Sequence, residues 1–398
     1  MMQVVVLRRG ELAFQMLAGY ADLSRQTPLA DNTIMRVYSM TKPIVSAAVM
    51  ILVERAQLQL DDPVSKFLPC FAEMTVHDPC SATGTTAATT PITLHHLLTH
   101  TAGLTYAFFP NSVGRLYREA NVKFEAGWGY GVDPEDTLPH YRTPNRDVRP
   151  GALRRMVEKL AALPLICEPG TAFNYSHCTD VVGCIIEVVT GQLLGDFLRA
   201  EIFEPLGMID TGFSVRLEDA HRFAACYLAE DSGGRAGLKL MDDPKTSEYL
   251  TPCDNLCAGG AGLVSTLRDM TRFTAMLAGK GACPSATPFG GESTRLLSRT
   301  SIEFMMLDHL PPGVTVPSGL LHCRDGVGFG IGGSVTNSAA RNALVGSVFS
   351  WGNLANGYWS IDSAEELVFL MLTQVVPSSK RCHWRRDLQS LLQASVID

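Results

Sequence analysis

Ile44 to Val53 is the stretch that most restricts this chain. Ile44, Val45, Ala47, Ala48, Val49, Met50, Ile51, Leu52 and Val53 are apolar, and only Ser46 interrupts them. On a helix of 3.6 residues per turn these side chains point to every face. Such a helix leaves no side for water and has to lie inside a large core. The run is about half as long as a bilayer crossing requires, so the rest of the chain must wrap it. With 398 residues, 46% of them hydrophobic, the chain holds enough apolar material for one large domain or two intimately joined lobes.

The pattern around that helix predicts how it is wrapped. Val4 to Leu7 and Leu12 to Leu17 read as a hairpin turning at Arg8-Arg9-Gly10-Glu11. Asp31 to Tyr38 is an extended approach to the helix, which starts close to Ser39 and runs to about Gln57. Helical periods recur at 93–100, 153–162, 178–189 and 265–277, and strands return at 345–350, 358–361 and 367–373 before a last helix over 385–394. Residues 78–91 read as a surface loop, and 106–150 as a long irregular excursion. Strands at both ends with helices between them predict an α/β (α+β) chain. Its antiparallel sheet is built from both termini and flanked by helices, with a mainly helical lobe inserted. The expected sheet lobe covers about 1–65 and 255–398, and the helical lobe about 66–254, of a single catalytic domain spanning 1–398.

Charge narrows the partners. The net charge is -7 with no dense basic run, which argues against nucleic acid and anionic membrane surfaces. Arg8 and Arg9 follow the apolar Val4–Leu7 instead of preceding it, unlike a secretory signal. The expectation is a soluble cytoplasmic protein. Eleven cysteines, an odd number scattered along the chain, fit free thiols better than a disulfide framework. Cys253 and Cys257 lack a second pair at zinc-like spacing, so no metal and no cofactor is expected.

Three segments carry chemistry. In Ser39-Met40-Thr41-Lys42 the two polar ends lie three residues apart, on one helix face, so the hydroxyl and the ammonium can meet. A serine at a helix start also sits among free backbone N–H groups at the positive end of the dipole, which suits a nucleophile whose product is an oxyanion. The apolar run after Lys42 puts its amine at the core edge, where burial favours the neutral form. Tyr175 follows Pro169-Gly170-Thr171-Ala172-Phe173-Asn174 at a second helix entry, and an ammonium beside a phenol favours its ionisation. Ser350-Trp351-Gly352-Asn353 lies on or just after a strand, where glycine permits close approach.

Taken in order, Ser39-x-x-Lys42, Tyr175 and Trp351-Gly352 resemble the serine β-lactamase and penicillin-binding-protein-like hydrolases, most closely the family VIII, β-lactamase-like carboxylesterases. Supporting segments span nearly the whole chain: Gly19-Tyr20-Ala21-Asp22, Leu97-Leu98-Thr99-His100-Thr101-Ala102-Gly103-Leu104, Asp180-Val181-Val182-Gly183, Pro205-Leu206-Gly207-Met208 and Gly259-Gly260-Ala261-Gly262-Leu263. The resemblance implies a nucleophile at Ser39, a general base made of Lys42 and Tyr175, and an oxyanion hole from the N–H groups of Ser39 and Leu354. It also implies the antiparallel architecture and no metal.

The chain departs from the family pattern in four places. His177 stands where class C β-lactamases carry asparagine, and Trp351 where they carry lysine. Asn353 replaces the last glycine of the esterase Trp-Gly-Gly, and the sequence is expected to open on the first strand without the family's usual preceding helix. A side chain at 353 could crowd the oxyanion strand. Arg324 or Arg341 could supply a cation in place of the lost lysine. No Gly-x-Ser-x-Gly elbow frames a serine, which argues against a triad of Ser39 with His100 or His177 and Asp180. The reading is a carboxylesterase on small uncharged esters. Its alternatives are an acyltransferase, an amidase or peptidase of D-residues, a weak β-lactamase on the same site, and an inactive scaffold of the same fold.

Overall fold

The computed structural model describes residues 1–122, 129–131, 140–142, 151–232, 235–251, 257–285, 289–317, 327–336, 348–376 and 384–395. The hairpin forms as the sequence predicts: β1 (Met2–Arg8) and β2 (Glu11–Ala18) pair antiparallel across Arg9 and Gly10, both at positive φ. The returning strands are β3 (Val327–Phe329), β4 (Ser334–Thr336), β5 (Val348–Gly352), β6 (Tyr358–Asp362) and β7 (Leu367–Leu372). They build one seven-stranded antiparallel sheet in the order β3-β4-β5-β6-β7-β1-β2. The two chain ends are joined where β7 pairs with β1, with Gln3 facing Leu372 and Arg8 facing Leu367.

The buried helix is α1 (Thr41–Glu54). Every residue from Thr41 to Leu52 is buried, and the helix stops as the apolar run gives way to Glu54 and its C-cap Arg55. Around it lie α2 (Leu94–Leu98), α3 (Ser112–Glu119), α4 (Ala152–Ala161) and α5 (Cys178–Thr190). α5 packs against α1, α2 and α4. On the sheet, α6 (Leu267–Ala278) covers β7, β1 and β6 from the α1 side. α7 (Trp384–Ala394) sets Leu388 and Leu392 against Val4, Val6, Leu367, Phe369 and Met371 on the other face. Each such aliphatic side chain withdrawn from water contributes about 1.5–3 kcal/mol, which is why the sheet needs both covers.

The structure differs from the sequence expectation in two stretches. The excursion after 106 contains α3, capped by Asn111, whose Oδ1 accepts the Gly114 N–H at 2.6 Å. Arg118 bonds back to the Ala107 carbonyl, and Val113 and Tyr117 are buried. The loop over 78–91 includes a short strand, Thr85–Ala87, paired with Thr75–His77. Both are local elements too short for periodicity to register. Among the described residues no single helix is long and apolar enough to cross a membrane.

Candidate active site

The segment before α1 is bent. Tyr38 takes φ +43°, a region costly for a bulky residue, and opens a short 3-10 turn through Met40. That bend sets Ser39 at the mouth of α1, with 5% of its surface exposed. Tyr175, equally buried, donates its hydroxyl to Ser39 Oγ at 2.8 Å. The two lie 136 positions apart and are brought together because the entry of α5 packs against the entry of α1.

Lys42 is on the same helix face but makes a different contact from the one expected. Its Nζ donates to the Gly260 carbonyl at 2.7 Å and to the Tyr106 hydroxyl at 3.1 Å, and no Lys42–Ser39 hydrogen bond is found among the described residues. The Gly260 carbonyl and the Tyr106 hydroxyl take those two N–H bonds, and Nζ lies 4.5 Å from the centre of the Tyr175 ring. Lys42 thus lies against Tyr175, which in turn contacts Ser39. Burial disfavours its ammonium and brings its pKa down from 10.5 to about 7, with Asp180 and then Cys178 opposing the fall. A neutral amine has two N–H bonds and one lone pair. Here Gly260 and Tyr106 occupy the N–H bonds and leave the lone pair to accept a proton.

A second layer supports this arrangement. Asp180 in the first turn of α5 accepts the Gly260 N–H at 2.8 Å on one oxygen, and its other oxygen lies 3.0 Å from His177 Nδ1. A Cβ on Gly260 would come 3.0 Å from both Asp180 oxygens, so glycine permits this approach. His177 has no exposed surface. Its ring stands edge-on to Tyr106 with centroids 4.5 Å apart, inside the protein. His100 packs on Tyr175 with its Nδ1 3.3 Å from Ser176 Oγ. Burial and the Lys42 charge hold it well below the usual histidine range, as a neutral ring.

Opposite Tyr175, Trp351 on β5 is 2% exposed and lies edge-on to Phe329 and tilted against Tyr175. Its indole Nε1 meets no acceptor among the described residues. The strand ends at Gly352, and the turn that follows is closed by Asn353. Asn353 N donates to the Gly357 carbonyl at 2.9 Å, and its side-chain oxygen accepts the Gly357 N–H at 2.6 Å. The residue expected to crowd the strand instead folds into its own turn, with its amide nitrogen 3.8 Å from Met40 Sδ. Among the described residues no acceptor meets the N–H of Ser39 or of Leu354. Arg324, Arg341 and Cys253 lie outside the described residues. No group of three or more His, Cys, Asp or Glu side chains that could hold a metal occurs among the described residues.

Tyr106, Gly260 and Arg385 were not singled out by sequence, and Asp180 was weighed only as a triad member and set aside. Gly260 and Asp180 lie in segments that carried the resemblance, but without a role. An aspartate amid the apolar Val181-Val182 and Ile185-Ile186 of α5 is the signal that could have found one of them.

The geometry agrees with what the chain is similar to. The Beta-lactamase family matches residues 2–393. Protein Rv1367c of Mycobacterium tuberculosis is 32% identical over 90% of this chain and 82% of its own length. Esterase EstB of Burkholderia gladioli is 29% identical over 93% and 84%. Among solved structures, the fold of EstCE1 superposes with a TM-score of 0.73 at 24% identity, covering 98% of this chain and 91% of that one. The chain therefore belongs to the Beta-lactamase family, as a serine hydrolase of the β-lactamase and penicillin-binding-protein fold.

Proposed function

We propose that the chain is a carboxylesterase for small uncharged esters, working through an acyl-enzyme at Ser39. The observation that carries this reading is the 2.8 Å contact of Tyr175 with Ser39 Oγ, backed by a buried Lys42 whose amine is neutral above about pH 7. With that amine neutral, the Lys42–Tyr175 pair lacks one proton and accepts the one Ser39 loses as Oγ attacks the ester carbonyl. The N–H groups of Ser39 and Leu354 receive the developing oxyanion. The pair then returns the proton to the departing alkoxide, and a water repeats the sequence to free the acid. The proton belongs to the pair and not to either residue alone.

The substrate class follows from what surrounds Ser39. Trp351 replaces the family's cation with apolar area and one N–H, and Tyr106 beside Lys42 stacks on Phe108, against which Phe109 is tilted. Such walls favour neutral acyl and alkyl groups over a lactam carboxylate. EstB, an esterase by name, points the same way. The test is intact-mass measurement after a short p-nitrophenyl ester, with kcat/KM compared against nitrocefin. Expected are an acyl adduct on the wild type, none on Ser39→Ala, and a preference for the ester. An active, folded Ser39→Ala or a preference for nitrocefin overturns the reading.

A further inference from the structure

We infer that Arg385 is a positioning residue for the oxyanion site, aiming and polarising the Leu354 N–H from behind. This rests on the reading above, in which that N–H receives the oxyanion. Arg385 belongs to α7, at the far end of the chain, and is 9% exposed. Its Nη2 donates to the Asn353 carbonyl at 2.6 Å, and its Nε lies 3.5 Å from the Asn356 carbonyl. The guanidinium thus grips both ends of the turn that carries Leu354.

The Asn353 carbonyl and the Leu354 N–H are two ends of one peptide group. No described peptide bond is cis, so the two point in opposite directions across a rigid plane. Fixing the carbonyl toward α7 fixes the N–H away from it, and the side chain of the same Asn353 lies against Met40, the neighbour of Ser39. A cation on the carbonyl also draws electron density from the amide, making its N–H a stronger donor, as chained hydrogen bonds do in a low-dielectric interior. Asn353 N and Oδ1 are both tied to Gly357, so the plane has little freedom to swing elsewhere.

The same contact gives the glycine of Trp351-Gly352 a reason. A Cβ on Gly352 would come 2.5 Å from Arg385 Nη1, so any other residue there displaces the guanidinium. Trp351 faces the site, while Gly352 leaves room for the cation behind it.

The experiment is infrared spectroscopy of the acyl-enzyme formed with a carbonyl-labelled ester, alongside steady-state kinetics, on wild type, Arg385→Met and Gly352→Ala. Removing an oxyanion donor outright costs about a hundredfold to a thousandfold, so weakening one is expected to lower kcat about tenfold, with KM within about twofold. The acyl carbonyl band is expected at higher wavenumber in both variants, and the double variant no worse than the sum-free single effect, because both remove the same contact. An unmoved band with a wild-type kcat per acylatable site overturns the inference. If Arg385→Met does not fold, Arg385→Gln, which keeps a donor without the charge, decides in the same way: a raised band supports it and a wild-type band overturns it. Absence of any Ser39 adduct on the wild type is a separate outcome, and it sinks the functional reading itself.

Discussion

Replacing Lys42 by methionine separates what the buried amine does for chemistry from what it costs the fold. Its pKa falls from 10.5 to about 7 on burial. Because the folded state binds this proton less tightly than the unfolded one, the folded state carries the whole penalty below pH 7, about 5 kcal/mol at 1.36 kcal/mol per pH unit of displacement. Between about pH 7 and 10.5 the unfolded chain still holds the proton and the folded one does not, so wild-type stability climbs as pH rises through that window. Methionine has no such proton. Its thioether leaves the Gly260 carbonyl without its donor, a fixed loss of about 1–3 kcal/mol that does not depend on pH. The stability difference between Lys42→Met and wild type should therefore move by roughly 2–3 kcal/mol in favour of wild type between about pH 6.5 and pH 9. Urea unfolding of both proteins at the two pH values measures it. A difference that stays constant over that range refutes the claim that Lys42 is buried and neutralised. Ester hydrolysis by the variant should be lost at both values.

Four further outcomes follow from the same geometry. Tyr175→Phe removes the 2.8 Å contact to Ser39 and should lower kcat about a hundredfold or more, with Tyr175→Phe/Lys42→Ala little worse than either single change, measured by p-nitrophenyl ester turnover. The wild-type kcat/KM should rise with pH through about 7, the point at which Lys42 loses its proton. Asp180→Asn deletes the charge that raises the Lys42 pKa, so this rise should move to lower pH; a profile that stays in place or moves up shows that Asp180 does not act on Lys42. Trp351→Lys should restore a cation for the lactam carboxylate and raise nitrocefin turnover relative to the ester, the competition being read with one preparation of each protein.

The fold was legible because its main signals are long. Nine apolar side chains over Ile44–Val53 make a buried helix, and the apolar run Val4–Leu7 and the terminal strands meet in one sheet. That Ser39, Lys42 and Tyr175 would lie together was legible through spacing, helix entries and the family resemblance. Distance in sequence hid the rest. Nothing in Ser39-x-x-Lys42 tells that Nζ turns to Gly260, 218 positions on, instead of to the serine three residues back. Asn353 looked like an obstruction because its partner, Gly357, is visible only once the turn is closed. Arg385 opened the expected terminal helix with no role read for it, and its 2.6 Å contact with Asn353 depends on how that helix docks on the sheet. Tyr106 lay in a stretch without periodicity, and a single residue there gives no pattern to read.

The pairing of β1 with β7 also sets a clock. Gln3 and Leu372 are adjacent in the finished sheet, yet at about 5–20 residues per second the ribosome makes them roughly 20–70 s apart. Throughout that interval β1 can hold β2 but lacks its other neighbour, and α1, hydrophobic on every face, has been synthesised without the sheet and α6 that cover it. Closing a loop of that length costs little more than closing one half as long, since the entropy grows only logarithmically. The burden is exposure during the wait. Newly made chains of this protein should depend on holding factors until the last strand emerges, and refolding from denaturant should yield less soluble protein as concentration rises.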